Sequence, residues 1–247
     1  MKIHLAGTSS RDKIKDVIFQ IPFVLESFWY FKPWQVPMIH DTTESFILDS
    51  GAFSFIMNGT GNMDLDGYVQ RYVDFVKKYE VENYIEMDID NRIGYEKVRQ
   101  LRTRIEREVG RPCIPVWHFN RGREDFERMC QEYDYVAFGG MMSDGFTKDE
   151  LVRVLPWFVR TAHKNGAKIH GLGFTGMSDV VKVHFDTVDS SSWTSGSRYG
   201  TLYIFDNGTL RRVHRPNGSR MTAPYLDIDV NNITQWIKFQ RYADTHL

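Results

Sequence analysis

The chain has 247 residues, 42% of them hydrophobic and 26% charged, with a net charge of −1. That is enough apolar material for one sizeable α/β core, and it leaves no global field to draw the protein to nucleic acid or membrane. The two cysteines, Cys113 and Cys130, form no Cys-x-x-Cys pair, which argues against a disulfide scaffold or a four-ligand zinc site and fits a reducing, cytoplasmic compartment.

No apolar run approaches the ~20 residues of a membrane span. The start, Met1-Lys2-Ile3-His4-Leu5-Ala6-Gly7, reads as a first strand rather than a signal peptide. Residues 14–31 are apolar and aromatic and predict a helix broken before Pro33. Residues 45–49 predict a strand running into Ser50-Gly51-Ala52-Phe53. Asp64 is a cap for a helix whose apolar positions, from Leu65 to Tyr79, recur at helical spacing.

Strand and helix signals then alternate. Residues 83–88 predict a strand and 94–109 a charged helix; 113–119 a strand and 122–132 a helix; 135–138 a strand stopped by Gly139-Gly140. A helix from Thr147 to Asn165 ends at Gly166, and 168–172 form the next strand. A short helix over 177–184 leads into the segment Phe185-Asp186-Thr187-Val188-Asp189-Ser190, a strand ending in an acid. Asp206-Asn207-Gly208 between residues 201–205 and 209–213 is a hairpin signal, and 231–243 an amphipathic helix.

Seven strand–helix units with short apolar strands imply a parallel sheet covered on both faces. A (β/α)8 barrel in one domain over 1–247, with a C-terminal hairpin and helix, fits the count and the length. The alternative is an open doubly wound sheet. The first strand lacks a Gly-x-Gly-x-x-Gly turn, and polar residues sit at the ends of many strands rather than near one crevice.

Asp49, Asp88, His118, Gly139, Gly140, His170 and Asp189 all fall at or just past predicted strand ends. In a barrel they ring one mouth. Three carboxylates there suit displacement at a sugar carbon, with one attacking, one moving a proton and one reading a base edge. Turn or cap duty is the competing reading for each acid alone. For His118 and His170 it is that of a satisfied, partly buried imidazole, and no cluster has metal-ligand spacing. The Gly139-Gly140 pair lets backbone amides approach a flat ligand. Arg198, Arg211, Arg212, Arg215 and Arg220 make the C-terminal third locally basic, fit to track phosphates or simply to face solvent.

Taken in order, these segments resemble the queuine/archaeosine tRNA-guanine transglycosylase superfamily. Asp49-Ser50-Gly51-Ala52-Phe53 looks like the family's Asp-Ser-Gly-Gly-aromatic motif, Asp88 like its base-reading aspartate, and Gly139-Gly140-Met141 like its Gly-Gly-Leu. His170-Gly171-Leu172-Gly173 is similar to Met-Gly-Val-Gly, Asp189 falls at the nucleophile's place, and Arg198-Tyr199-Gly200-Thr201 resembles Arg-Asn-Gly-Thr. The likeness covers residues 45–213.

The resemblance implies a (β/α)8 barrel that exchanges guanine for a 7-deazaguanine through an aspartyl-sugar intermediate. In it Asp189 is the nucleophile and Asp49 the acid/base. Asp88, Ser50, Gly139 and Gly140 bind the base, and Phe53 and His170 sandwich it. The departures are His118 where the family has a glutamine, Ser195 where it has an arginine that contacts tRNA, and no zinc-binding Cys-x-Cys-x-x-Cys…His subdomain. No zinc or other cofactor is therefore expected. The losses fall on tRNA-holding parts, so the compact relatives that modify DNA, in phage and bacterial systems, are the nearer likeness. The same exchange on tRNA, a non-catalytic barrel that binds nucleic acid or deazapurine, and an unrelated glycoside hydrolase are the rivals. The need for a helper ATPase to open a duplex stays open.

Overall fold

The computed structural model describes residues 1–58, 64–139, 148–174, 183–214 and 224–247. Eight parallel strands form its centre: β1 (Lys2–Ala6), β2 (Phe23–Ser27), β3 (Ser45–Asp49), β4 (Asn83–Tyr84), β5 (Val116–Trp117), β6 (Tyr135–Phe138), β7 (Lys168–Gly171) and β8 (Thr187–Ser190). Their spatial order is β4-β3-β2-β1-β8-β7-β6-β5. The two ends of that row meet: Ile85 and Ile114 form a parallel bridge, with Glu86 N–H donating to Ile114 O at 3.1 Å and Ile114 N–H to Tyr84 O at 2.8 Å. Sequential parallel order with both edges joined is a (β/α)8 barrel, in which no strand edge is left open.

Around it lie α1 (Lys15–Ile18), α2 (Ala52–Asn58), α3 (Leu65–Lys78), α4 (Asp90–Ile93), α5 (Tyr95–Val109), α6 (Gly122–Glu132) and α7 (Lys148–Lys164). After β8 come α8 (Ser195–Tyr199), the antiparallel hairpin β9 (Leu202–Asp206) and β10 (Thr209–Val213), and α9 (Tyr225–His246). Asp64 caps α3 as expected, accepting from Gly67 N–H at 2.8 Å. The hairpin turns on Asn207 and Gly208, both at positive φ, the geometry that an Asn-Gly pair allows without strain. The expected helix over 177–184 falls almost wholly, and Thr147 entirely, outside the described residues.

One expectation fails. Residues 14–31 are not a single helix but a short 3-10 turn, the one-turn α1, and strand β2. Pro22 stops the helix, and Phe23-Val24-Leu25 is then buried on both faces between β1 and β3. A central parallel strand is apolar without alternation, so its pattern mimics a buried helix. This segment supplies the eighth strand.

The core divides by strand parity. Ile3, Leu5, Val24, Phe46, Leu48, Trp117, Val136, Phe138, Ile169 and Val188 pack outward in one large cluster with the helices. A smaller cluster of Leu25, Ile47, Ile85, Ile114, Val116 and Ala137 fills the barrel interior. Side chains alternate with period two along a strand, so Asp49 follows Ile47 inward, His118 follows Val116, and Gly139 follows Ala137. His4, His170, Thr187 and Asp189 share the inward parity of their own strands. The C-terminal helix locks this cylinder from outside, where buried Gln240 donates to Ile3 O at 2.7 Å and to Phe23 O at 2.8 Å.

Candidate active site

Parity carries a row of polar groups to the C-terminal mouth. Asp49 ends β3, half-buried, and accepts the Gly51 N–H at 3.0 Å. Gly51 has φ +65°, and a Cβ there would stand 2.6 Å from Ser27 Oγ and from Trp29 Cβ, so the turn that holds Asp49 requires glycine. Burial pushes the Asp49 carboxyl up to about 6, and the charges of Asp88 and Asp189 push the same way against the Gly51 bond. Asp49, at the end of β3, thus feels one acid from the loop after β4 and one from β8. Beside it Ser50 buries its hydroxyl with no partner among the described residues, while its carbonyl accepts from Tyr68 Oη at 2.7 Å.

Asp88 accepts from His118 Nε2 at 2.6 Å. Burial lowers the His118 imidazole, but the bond to Asp88 and the charges of Asp88 and Asp90 outweigh it, for a net rise. Asp90 is in turn held by Arg121, 2.9 Å to Oδ2, and Arg121 lies over the Tyr95 ring at 3.8 Å. Asp88, Asp90 and His118 each offer a ligand atom within 4.8 Å of the others, the one group among the described residues with that geometry. Each of its members already has a partner, which makes it a closed ionic cluster as it stands. Below it, Glu86 accepts from Val116 N–H at 2.6 Å and faces Arg102 at 3.6 Å. Burial drives its carboxyl up to about 7 against the pull of Arg102.

Gly139 sits against this pair. A Cβ on it would meet Val116 Cγ1 at 2.6 Å and His118 Cε1 at 2.9 Å, so only glycine keeps that wall flat. Gly140 lies outside the described residues. Phe53, on α2, is half exposed with the Arg92 guanidinium 6.0 Å from its ring centroid. It is open for stacking.

Asp189, near the end of β8, accepts the Gly173 N–H at 2.6 Å and faces His170 Nε2 at 3.3 Å, both through Oδ1. His170 is fully buried. The resemblance casts it as a cover for a base, but in this structure its ring faces Asp189, Thr187 and His4 instead. His170 is in register with the inward Ala137 of β6, which places its ring inside the barrel.

Of the candidate phosphate-tracking arginines, Arg211 and Arg212 have described side chains. Arg211 pairs with Asp206 at 2.9 Å, and Arg212 lies over Tyr203 at 5.7 Å. Both sit midway along the hairpin, which runs beside α9. Arg215, Arg220 and the side chain of Arg198 lie outside the described residues. Sequence reading missed several polar groups in and around the barrel. Glu26 on β2 is buried and accepts from Thr8 N–H at 2.8 Å and Thr8 Oγ1 at 2.7 Å. Its strand is buried on both faces and has the apolar pattern of a helix, which hides it. Asp90 and Arg121 carry no pattern of their own. Thr187 was visible in principle, because it shares the face of Asp189 two residues on.

No protein-family model matches the chain, and no curated protein matches it in sequence. Sixteen solved chains match in structure. One is an enolase from environmental genome sequencing of the Sargasso Sea, 9% identical with a TM-score of 0.45, over 77% of this chain and 54% of that one. Another is a putative deoxyribose-phosphate aldolase from Coccidioides immitis, 12% identical with a TM-score of 0.49, over 78% and 81% of the two chains. The chain spans about half the length of the enolase it matches. Likeness at this level carries no chemistry, and the fold assignment rests on strand order and register. The class the fold and site define is a (β/α)8 barrel with an acid-lined mouth. Among the described residues, no helix is long and apolar enough to cross a membrane.

Proposed function

We propose that the protein is an enzyme, a guanine transglycosylase that exchanges guanine in DNA for a 7-deazaguanine. The observation that carries this reading is the set of three acids, Asp49 at the end of β3, Asp88 just past β4 and Asp189 on β8, with the Asp49 carboxyl raised to about 6 by burial first and by the charges of the other two as well. Such a set gives one acid that can hold a proton near neutrality and others for different tasks.

In this mechanism Asp189 attacks the anomeric carbon of the target nucleotide. The carbon–nitrogen bond to guanine breaks, and Asp49 gives its proton to the departing base. A 7-deazaguanine then enters on the same face and gives a ring N–H proton to Asp49, while the new carbon–nitrogen bond displaces Asp189. Two inversions retain the β configuration. Asp88, with the Gly139 backbone and the orphaned Ser50 hydroxyl, binds the polar edge of the purine. Phe53 stacks on one face. The nucleotide must leave its stack first, at a few kcal/mol in a duplex, so unpaired or distorted targets are preferred.

Incubation with single-stranded DNA, duplex DNA or tRNA and a set of 7-deazaguanine bases, followed by mass analysis of the nucleosides, tests the proposal. Incorporation into DNA supports it. Incorporation into tRNA alone moves the same chemistry to RNA, and hydrolysis of simple glycosides without base exchange overturns it.

A further inference from the structure

A continuous run of polar contacts crosses the barrel interior beneath Asp189. Tyr135 Oη, from the start of β6, lies 2.5 Å from Thr187 Oγ1 on β8. Thr187 Oγ1 lies 2.7 Å from His170 Nδ1 on β7. His170 Nε2 lies 3.3 Å from Asp189 Oδ1. Neither the imidazole nor the threonine is open to solvent, with His170 0% and Thr187 8% exposed. Tyr135 and Thr187 also line a hollow of about 290 Å³ at the opposite, N-terminal end, so the run spans the cylinder from one end to the other.

We propose that Tyr135, Thr187 and His170 form a directional donor chain that positions Asp189 for attack, with His170 acting as a positioning residue and not as a cover for the base. The proposal rests on the reading of Asp189 as nucleophile. Hydrogen counting fixes the direction. A carboxylate only accepts, so His170 must donate from Nε2. In a neutral imidazole Nδ1 is then the acceptor, and Thr187 must donate to it. The Thr187 oxygen is left to accept the Tyr135 O–H. Each group has one hydrogen to give and gives it toward Asp189.

The His170 ring is enclosed by its neighbours. His4 packs edge-on against it, with ring centroids 6.0 Å apart, and its own Nε2 is engaged by Ser45 Oγ at 2.9 Å. Burial keeps the Tyr135 phenol protonated far above its ordinary range. With His170 and the Gly173 amide both on Oδ1, Oδ2 is the oxygen assigned to attack. This is the arrangement by which an oriented imidazole and its outer partner set a reacting group's geometry.

The test pairs kinetics with a signal that does not depend on turnover. Nitrogen-15 NMR of the imidazoles reports which nitrogen of His170 carries the proton. The chain predicts the Nε2–H form in the wild type with Nδ1 hydrogen-bonded, loss of the Nδ1 hydrogen-bond shift in Thr187→Val, and its return in Thr187→Ser. Single-turnover formation of the covalent adduct should slow by on the order of 10²-fold in Thr187→Val, with the KM for nucleic acid within about twofold and most of the rate recovered in Thr187→Ser. Tyr135→Phe should give a smaller loss in the same direction. An active wild type with an unchanged adduct rate and an unchanged His170 Nδ1 shift in Thr187→Val overturns the chain. A wild type that forms no adduct overturns the functional reading instead. In that event the NMR alone decides the chain: an Nε2–H wild type that loses its Nδ1 hydrogen-bond shift in Thr187→Val supports it, and an Nδ1–H wild type or an unchanged shift sinks it.

Discussion

His118 Nε2 lies 2.6 Å from Asp88 Oδ1, and this bond crosses the seam of the barrel. There the fourth and fifth strands pair, among the described residues, through the Ile85–Ile114 bridge alone. The same side chains that line the mouth therefore close the cylinder. The raised His118 imidazole gives the seam a pH dependence of known sign. A group whose folded pKa is raised contributes stability that is complete below the unfolded value and is lost as pH rises through the folded one. The stability gap between wild type and Asp88→Asn should shrink by about 1–2 kcal/mol between pH 6 and pH 9. Urea denaturation at the two pH values checks this, and a constant gap contradicts it.

Asp49 predicts two opposite effects of one substitution. Its carboxyl is raised to about 6 by burial first and by Asp88 and Asp189 after. The ionised form therefore opposes folding, in a way that sets in as pH rises from about 4 to about 6 and persists above. Asp49→Asn should raise stability at pH 7.5 by about 1–2 kcal/mol, discounted for partial exposure, while base exchange falls by about 10²–10⁴-fold. In the wild type, the step that protonates the departing base should slow as pH rises through 6. Calorimetry and a pH–rate profile decide both.

Gly139 separates packing from binding. An added Cβ meets Val116 Cγ1 and His118 Cε1 at 2.6 and 2.9 Å, and the His118 ring is the neighbour able to give. Gly139→Ala should cost about 1–3 kcal/mol of stability and raise the KM for the incoming base more than it lowers kcat. A variant with ordinary base affinity removes Gly139 from the pocket wall.

The hairpin arginines test how nucleic acid is held. Arg211 already pairs with Asp206, so its free charge is partly spent, while Arg212 lies over Tyr203. Neutralising both should reduce the salt slope of DNA binding by up to about 2 and leave the chemistry of the bound complex unchanged. An unaltered slope takes the hairpin off the contact surface.

Much of this was legible in the chain because period and punctuation carry it. Polar residues two positions beyond inward apolar ones, as in Ile47-Leu48-Asp49 and Val116-Trp117-His118, must reach the mouth once the sheet closes. The Asp64 cap and the Asn207-Gly208 turn are local chemistry. What stayed hidden was β2, because a strand buried on both faces has no alternation to read. With it went Glu26, whose partner Thr8 is eighteen residues away. The role of His170 was also hidden, since it depends on Tyr135 and Thr187, which meet only when β6, β7 and β8 lie side by side.

The central claim is that Asp189 bonds covalently to a sugar, and intact-mass analysis of the protein after incubation with single-stranded DNA or tRNA and quenching in denaturant tests it most directly. The wild type should carry a nucleic-acid adduct that is released on adding a 7-deazaguanine, and Asp189→Asn should bind the nucleic acid yet carry no adduct. A wild type that never acquires mass with either nucleic acid, or an Asp189→Asn protein that exchanges base at the ordinary rate, contradicts the account.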